Sequence, residues 1–334
     1  MTDVMRIWYV SAQRLCNFRC TYCVSVGDYA KSNSEDWRSP DERERFERIV
    51  DWIAERPFRL GVRLATLGEP FASRPFLDRA AWLSRRPNVD FVELLTNGSL
   101  LGRRLEQLRR DGDISKISLW ITHHPSQIGI DRFVENARLA QEEYGCFVVV
   151  NALLFPDNED AVIELRRATV AADLRFNLDL GYDPWTPHAA HTTLDDMIPV
   201  LREDKDGLER AVTLGADAGM LELNVAAMRD LRGRSCRAGH DYVYIGIHGD
   251  VYRCSRYQAL GRAKQGNVFD EGFELKPNDS RWSPCEAGFG CGNKEDFLHL
   301  LEPPGPERAT VPSLGWPGGT RLPERRVQQL RPGT

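Results

Sequence analysis

From residue 5 to about residue 215, short apolar runs alternate with stretches whose apolar positions recur at helical spacing. Strand-like runs fall at 5–10, 62–66, 91–96, 114–121, 147–155 and 174–180. Between them, residues 41–55 place Phe46, Ile49, Val50 and Ile53 on one helical face, and residues 131–144 do the same with Phe133, Val134, Ala137 and Ala140. Ser39-Pro40 and Ser73-Arg74-Pro75 supply helix starts, because an early helical proline gives up an N–H that has no partner there anyway. Six β–α alternations predict an α/β fold with parallel strands and right-handed crossovers. Chemistry on such folds gathers at the carboxyl ends of the strands. The periodicity fits a doubly wound open sheet as well as a partial barrel. After residue 220 the alternation stops, and a hairpin is expected at 242–247, a turn at His248-Gly249-Asp250, and a return over 251–254. The expected organisation is a barrel over 1–215, a small domain over 216–300, and a Pro/Gly/Arg-rich tail over 301–334 with little structure of its own.

Composition narrows the function classes. The 334 residues are 42% hydrophobic and 28% charged, as in a soluble globular protein. A net charge of −5 gives no basic footprint, so nucleic acid is not an expected partner. No apolar run approaches the roughly 18 residues of a membrane span, and Asp3 and Arg6 interrupt any signal-peptide core. A cytoplasmic location follows as the expectation, where clustered thiols are more often metal-binding than disulfide-bonded. The eight cysteines form an N-terminal trio (Cys16, Cys20, Cys23), a C-terminal quartet (Cys236, Cys254, Cys285, Cys291) and the singleton Cys146. Cys146 opens the fifth strand, at the amino end, and reads as a buried core thiol.

The trio lies in Cys16-Asn17-Phe18-Arg19-Cys20-Thr21-Tyr22-Cys23, a C-x3-C-x2-C loop directly after the apolar run Ile7-Trp8-Tyr9-Val10. Three thiolates satisfy three irons of a four-iron cube and leave the fourth open to an outside ligand. A fully ligated electron-transfer cluster would want four cysteines, and a structural zinc site also closes its fourth position. Unrelated loop cysteines or part of a zinc knuckle are the plainer alternatives. Other polar motifs follow the later strands: Leu67-Gly68-Glu69-Pro70, Thr96-Asn97-Gly98, the segment from Ser118 to His124, and Asn151 on the fifth strand.

Taken together, these residues resemble the radical S-adenosylmethionine (SAM) enzymes, whose signature is C-x3-C-x2-C with an aromatic, here Tyr22, before the third cysteine. The resemblance implies a partial (β/α)6 TIM-like barrel, with Cys16, Cys20 and Cys23 binding a [4Fe-4S] cluster and SAM on its open iron. It places Gly68, Glu69 and Pro70 at the SAM amino group, with Leu67 replacing the first glycine of the usual Gly-Gly-Glu. Thr96, Asn97, Ser118 and Asn151 are implied in SAM binding beside them. The C-terminal region resembles the SPASM/twitch family: Cys236, twelve residues, Gly249, four residues, Cys254, then Cys285-x5-Cys291. Ala238-Gly239-His240, Tyr242-Val243-Tyr244-Ile245 and Gln265-Gly266-Asn267-Val268-Phe269-Asp270 add to that likeness. A full SPASM domain needs about seven cysteines, so four imply the shortened twitch form (a β-hairpin plus helix) with one auxiliary [4Fe-4S] cluster on Cys236, Cys254, Cys285 and Cys291. The alternative is a zinc site on the same four, although zinc sites favour tight C-x2–4-C pairs and this quartet has none.

The resemblance implies reductive cleavage of SAM to a 5′-deoxyadenosyl radical that takes a substrate hydrogen, with an external donor such as flavodoxin or ferredoxin. His123 and His124 are candidate catalytic groups that hydrogen-bond or deprotonate a hydroxyl. Asp179, Tyr182, Asp183 and Trp185 combine acids and aromatics suited to sugar hydroxyls and ring faces. The barrel begins almost at residue 5, without a preceding peptide-recognition domain, which favours a small, saccharide-like substrate. The leading expectation is oxidation of a carbinol carbon to a ketone, as in the twitch oxidoreductases of aminoglycoside and aminocyclitol antibiotic biosynthesis. Radical epimerisation, decarboxylation and peptide modification are the alternative outcomes. A non-enzymatic iron–sulfur carrier is the alternative class, and it would gain nothing from an open iron.

Overall fold

The computed structural model describes residues 4–180 apart from 24, 26–29 and 156, together with 214, 232–233 and 235–286. Six strands alternate with five helices: β1 (Met5–Ser11), α1 (Pro40–Ala54), β2 (Leu60–Thr66), α2 (Arg74–Ser84), β3 (Val89–Thr96), α3 (Leu101–Asp111), β4 (Ile117–Thr122), α4 (Ile130–Glu142), β5 (Phe147–Leu154), α5 (Glu159–Ala171) and β6 (Arg175–Leu180). Their order in the sheet follows the chain from β1 to β6, every neighbour parallel. A doubly wound sheet would reverse this order at a switch point. The unreversed order is that of the partial (β/α)6 barrel.

The helix starts form as their sequences dictate. Ser39 caps α1 by accepting from the Glu42 amide, and Ser73 caps α2 by accepting from Phe76, each with a proline in the first turn. The apolar face of α1 (Phe46, Ile49, Val50, Ile53) is buried against alternate residues of the strands, among them Ile7, Tyr9, Val62 and Leu64. Cys146 lies immediately before β5 and is wholly buried in this core.

The opposite face of the sheet is also buried, but it carries charged side chains among aromatic ones such as Phe91, Trp120 and Phe147. Arg63 and Glu93 pair at 2.6 Å with side chains 5% and 1% exposed, and the Arg63 guanidinium lies over Trp8. The strand expected from residue 114 starts three residues later. Ile114–Lys116 forms a 3-10 turn instead, capped by the Asp113 carboxylate, which accepts from the Ser115 amide.

Beyond residue 234, β7 (Ser235–Cys236), β8 (Tyr242–Ile245), β9 (Asp250–Tyr252), α6 (Ser255–Ala259), β10 (Lys264–Asn267) and β11 (Ser283–Pro284) follow. The expected hairpin is β8–β9, turning at Gly249 with φ +84, where an added Cβ would meet the Val268 side chain at 2.8 Å. The return strand stops at Tyr252 because Cys254 opens α6. β8 pairs parallel with β1, matching Arg6 with Tyr242 through Tyr9 with Ile245, so the hairpin continues the barrel sheet as β10-β9-β8-β1. The tail over 301–334 lies outside the described residues.

Candidate active site

The loops after β1, β2, β3 and β4 converge on a cavity of about 260 Å³ lined by Cys16, Cys20, Cys23, Gly68, Glu69 and Asn97, with Phe18, Leu95 and Leu153 as apolar walls. The cysteine loop is tied to each of the other three. Leu67 and Gly68 both donate their amides to the Gln13 carbonyl at 3.0 Å, and Glu69 donates to Leu15 at 2.7 Å. Gly68 is required by contact: an added Cβ would stand 2.2 Å from the Leu15 carbonyl oxygen and 2.6 Å from the Arg14 carbonyl carbon. Asn97 donates to the Asn17 side chain at 3.1 Å, and Asn17 donates to Ser99 at 2.9 Å. From the β4 side, Gln127 accepts the Arg19 amide at 2.9 Å, and the Tyr22 hydroxyl lies 2.9 Å from His124 Nδ1.

Glu69 is the electrostatic centre of the cavity. Its carboxylate accepts from the Phe71 amide (3.0 Å), the Thr96 hydroxyl (2.6 Å) and the Asn97 amide (2.7 Å). Every one of these donors is neutral, and the group is 2% exposed. Burial therefore outweighs the hydrogen bonds and pushes its pKa up to about 7. A buried carboxylate held open in this way is complementary to a cation that donates hydrogen bonds, such as an ammonium. Burial also raises the Cys16 thiol to about 11, chiefly by desolvation.

Among the described residues, no three His, Cys, Asp or Glu groups converge on a point that would hold a single metal ion. Cys16, Cys20 and Cys23 line the same cavity.

The two histidines part company. His124 lines the cavity, stacks on Tyr22 at 5.7 Å, and is driven by burial to a pKa of about 4, so it is neutral. Tyr22 and Cys20 line the same cavity. His124 thus braces the aromatic residue beside the trio. His123 turns away: its Nε2 pairs with the Ile128 carbonyl at 3.0 Å and its ring packs on Phe133. Ser118 sits at the amino end of β4, opposite Glu93, and the β4 residue that lines the cavity is Thr122. Asn151 is buried and links Thr122 (3.4 Å) to Asn177 (2.7 Å). Asp179 holds the β6 register position opposite the cavity-lining Leu153, while Tyr182, Asp183 and Trp185 lie outside the described residues. Lys31 lines the cavity and was not legible beforehand; the signal available was a rare lysine in an arginine-rich chain.

Downstream, Cys236, Cys254 and Cys285 are all buried and cluster with Tyr242, Tyr244 and Tyr257. Cys291 lies outside the described residues.

Residues 10–169 match the family model of the radical SAM superfamily. This stretch is similar to radical SAM domains. Its cavity-lining trio and Glu69 all fall inside the matched span. Among curated relatives, the GTP 3′,8-cyclase of Yersinia pestis is 30% identical over 158 residues, 45% of this chain and 47% of the relative. That of Pectobacterium atrosepticum is 31% identical over 156 residues, 44% of this chain and 46% of the relative. The matches thus span about half the length of these relatives. Among solved structures, Streptococcus suis SuiB bound to precursor peptide SuiA aligns with a TM-score of 0.49 at 14% identity, covering 84% of this chain and 66% of that one. Among the described residues, no helix is long and apolar enough to cross a membrane.

Proposed function

We propose that residues 10–169 form a radical SAM domain that holds a [4Fe-4S] cluster on Cys16, Cys20 and Cys23 with SAM beside it. We propose further that Cys236, Cys254, Cys285 and Cys291 hold an auxiliary [4Fe-4S] cluster, and that the chain dehydrogenates a carbinol carbon of a small polar substrate of sugar or aminocyclitol type. The observation that carries SAM binding is Glu69, a buried carboxylate with neutral donors only, placed in the same cavity as the three thiols. When bound, the first cluster with SAM supplies hydrogen abstraction at carbon, and the second supplies an acceptor for the remaining electron.

The chain's own residues do the rest. Glu69 accepts from the ammonium of SAM, and Gly68 lets the β2 loop approach the cysteine loop at backbone contact. Phe18, Leu95 and Leu153 exclude water from the reacting carbon. Asn151 and Asn177, joined by their mutual 2.7 Å bond, brace the cavity-lining Thr122 from behind. An external one-electron donor is required.

The test is release of 5′-deoxyadenosine from SAM by the reduced protein. Iron should stand at about eight per chain and fall to about four when Cys16, Cys20 and Cys23 are all replaced by alanine. No 5′-deoxyadenosine under any reducing condition would sink the proposal.

A second reading, cyclisation of a purine nucleotide as named for the curated relatives, draws support from Arg175. This side chain is 2% exposed on β6, it lies over the Phe147 ring, and none of its three nitrogens has a hydrogen-bond partner among the described residues. Burial alone lowers its pKa to about 9, with no carboxylate opposing it. Such a group would suit an anion, although Arg175 is not among the residues that line the cavity. Without substrate it is a cost, so Arg175→Met should raise the stability of the free chain by roughly 1–3 kcal/mol in urea unfolding. A fall in stability would show that the cation–ring contact outweighs the burial.

A further inference from the structure

The side chain of Arg253, next to Cys254, gathers the cysteine-bearing segments of the C-terminal region. Its Nε donates to the Ala238 carbonyl at 2.7 Å, and one terminal nitrogen donates to Cys236 at 3.3 Å and Ser283 at 2.6 Å. The other donates to Pro284 at 2.6 Å and to the Tyr257 hydroxyl at 3.0 Å. That hydroxyl in turn accepts the Glu286 amide at 3.0 Å. Cys285 is therefore held on both flanks, Pro284 directly and Glu286 through Tyr257. Ser283 and Cys236 are register partners in the β7–β11 pair, so one guanidinium reads carbonyls from both strands. Arg253 is 8% exposed, and so are Cys236, Cys254 and Cys285.

Five donor contacts spread over three segments match the planar fork of arginine, whereas an ammonium has three protons to give. A buried cation beside buried thiols that become anionic on binding iron also lowers the electrostatic cost of that binding.

We infer that Arg253 is the positioning residue of the auxiliary cluster: it sets the spacing of Cys236, Cys254 and Cys285, and its fixed charge raises the potential of the bound iron. This rests on the auxiliary-cluster reading above. The experiment uses the full chain with Cys16, Cys20 and Cys23 replaced by alanine, so that all bound iron belongs to the second site. Arg253→Lys and Arg253→Met are compared by iron and sulfide content, electron paramagnetic resonance and reductive titration. The expected result is loss of most of the iron in Arg253→Met. Arg253→Lys should retain part of it, with an altered resonance and a potential lower than with arginine but above that of any iron left in Arg253→Met.

Iron absent with Arg253 in place would overturn the auxiliary-cluster reading and this inference with it. Full iron at an unchanged potential in both variants would overturn this inference alone. So would unfolding of the metal-free Arg253→Met chain where its metal-free parent is folded, since the arginine would then be a core brace.

Discussion

Glu69→Gln should bind SAM about a hundredfold more weakly than the parent chain, measured by equilibrium dialysis on the cluster-loaded, oxidised protein. Removing one partner of a buried, hydrogen-bonded charge pair costs about 3 kcal/mol, which is the energy of that change in affinity. Glutamine keeps the shape and one acceptor but turns an N–H toward the amide of Asn97, which now donates at 2.7 Å. The same variant has a second signature in the free chain. Below the usual pKa of 4.5 the Glu69 carboxyl is protonated in both folded and unfolded states, and it costs nothing. As pH rises toward about 7, the unfolded chain releases this proton while the folded chain holds it. Stability present at low pH is therefore lost across that window, by about 3 kcal/mol. The difference in stability between Glu69→Gln and the parent should follow that curve, offset by a constant for the lost hydrogen bond. A difference independent of pH from 4 to 8, with unchanged SAM affinity, would remove Glu69 from the site.

Gly68→Ala is expected to destabilise the chain by about 3 kcal/mol, at the upper end of overpacking costs. The cause is a Cβ placed 2.2 Å from the Leu15 carbonyl oxygen, where both sides are backbone and no rotamer can yield. The loops must separate, breaking the bonds from Leu67 and Gly68 to Gln13 and from Glu69 to Leu15. Because Leu15 precedes Cys16, the separation moves the first thiol away from Cys20 and Cys23. Iron content should fall together with the urea midpoint. Normal iron in a destabilised Gly68→Ala chain would show that the trio forms independently of the β2 loop.

The barrel was largely legible because its signals are local. Phe46, Ile49, Val50 and Ile53 recur at helical spacing, and all four are buried. Ser39 and Ser73 mark the caps they form. Where the reading slipped, a local hydrogen bond competed with the apolar pattern. Asp113 captures Ser115 and delays β4, which leaves Ser118 at the amino end and brings Thr122 to the cavity. The pair His123-His124 looked like one feature, but neighbours on an extended chain face opposite ways, one toward Phe133 and the other toward Tyr22. The charged positions of the inner face were hidden for a different reason. Arg63, Glu93 and Arg175 alternate with apolar residues along their strands, and the alternation alone does not say that the fold buries both faces. The partner of β8 left no trace in sequence, since parallel pairing joins residues more than two hundred positions apart.

That pairing bears on how the chain is made. β1 leaves the ribosome before β2, which can pair with one of its edges as soon as Leu60–Thr66 has followed. Its other edge has no strand to receive until Tyr242–Ile245 emerges. Over that interval a seven-residue, largely apolar strand therefore presents open main-chain groups, the arrangement that recruits a foreign strand. Translation at about 5–20 residues per second keeps that edge uncovered for some ten seconds or longer. Slow translation or shortage of chaperones should therefore favour aggregates seeded by β1, even though the finished fold shows no weakness there.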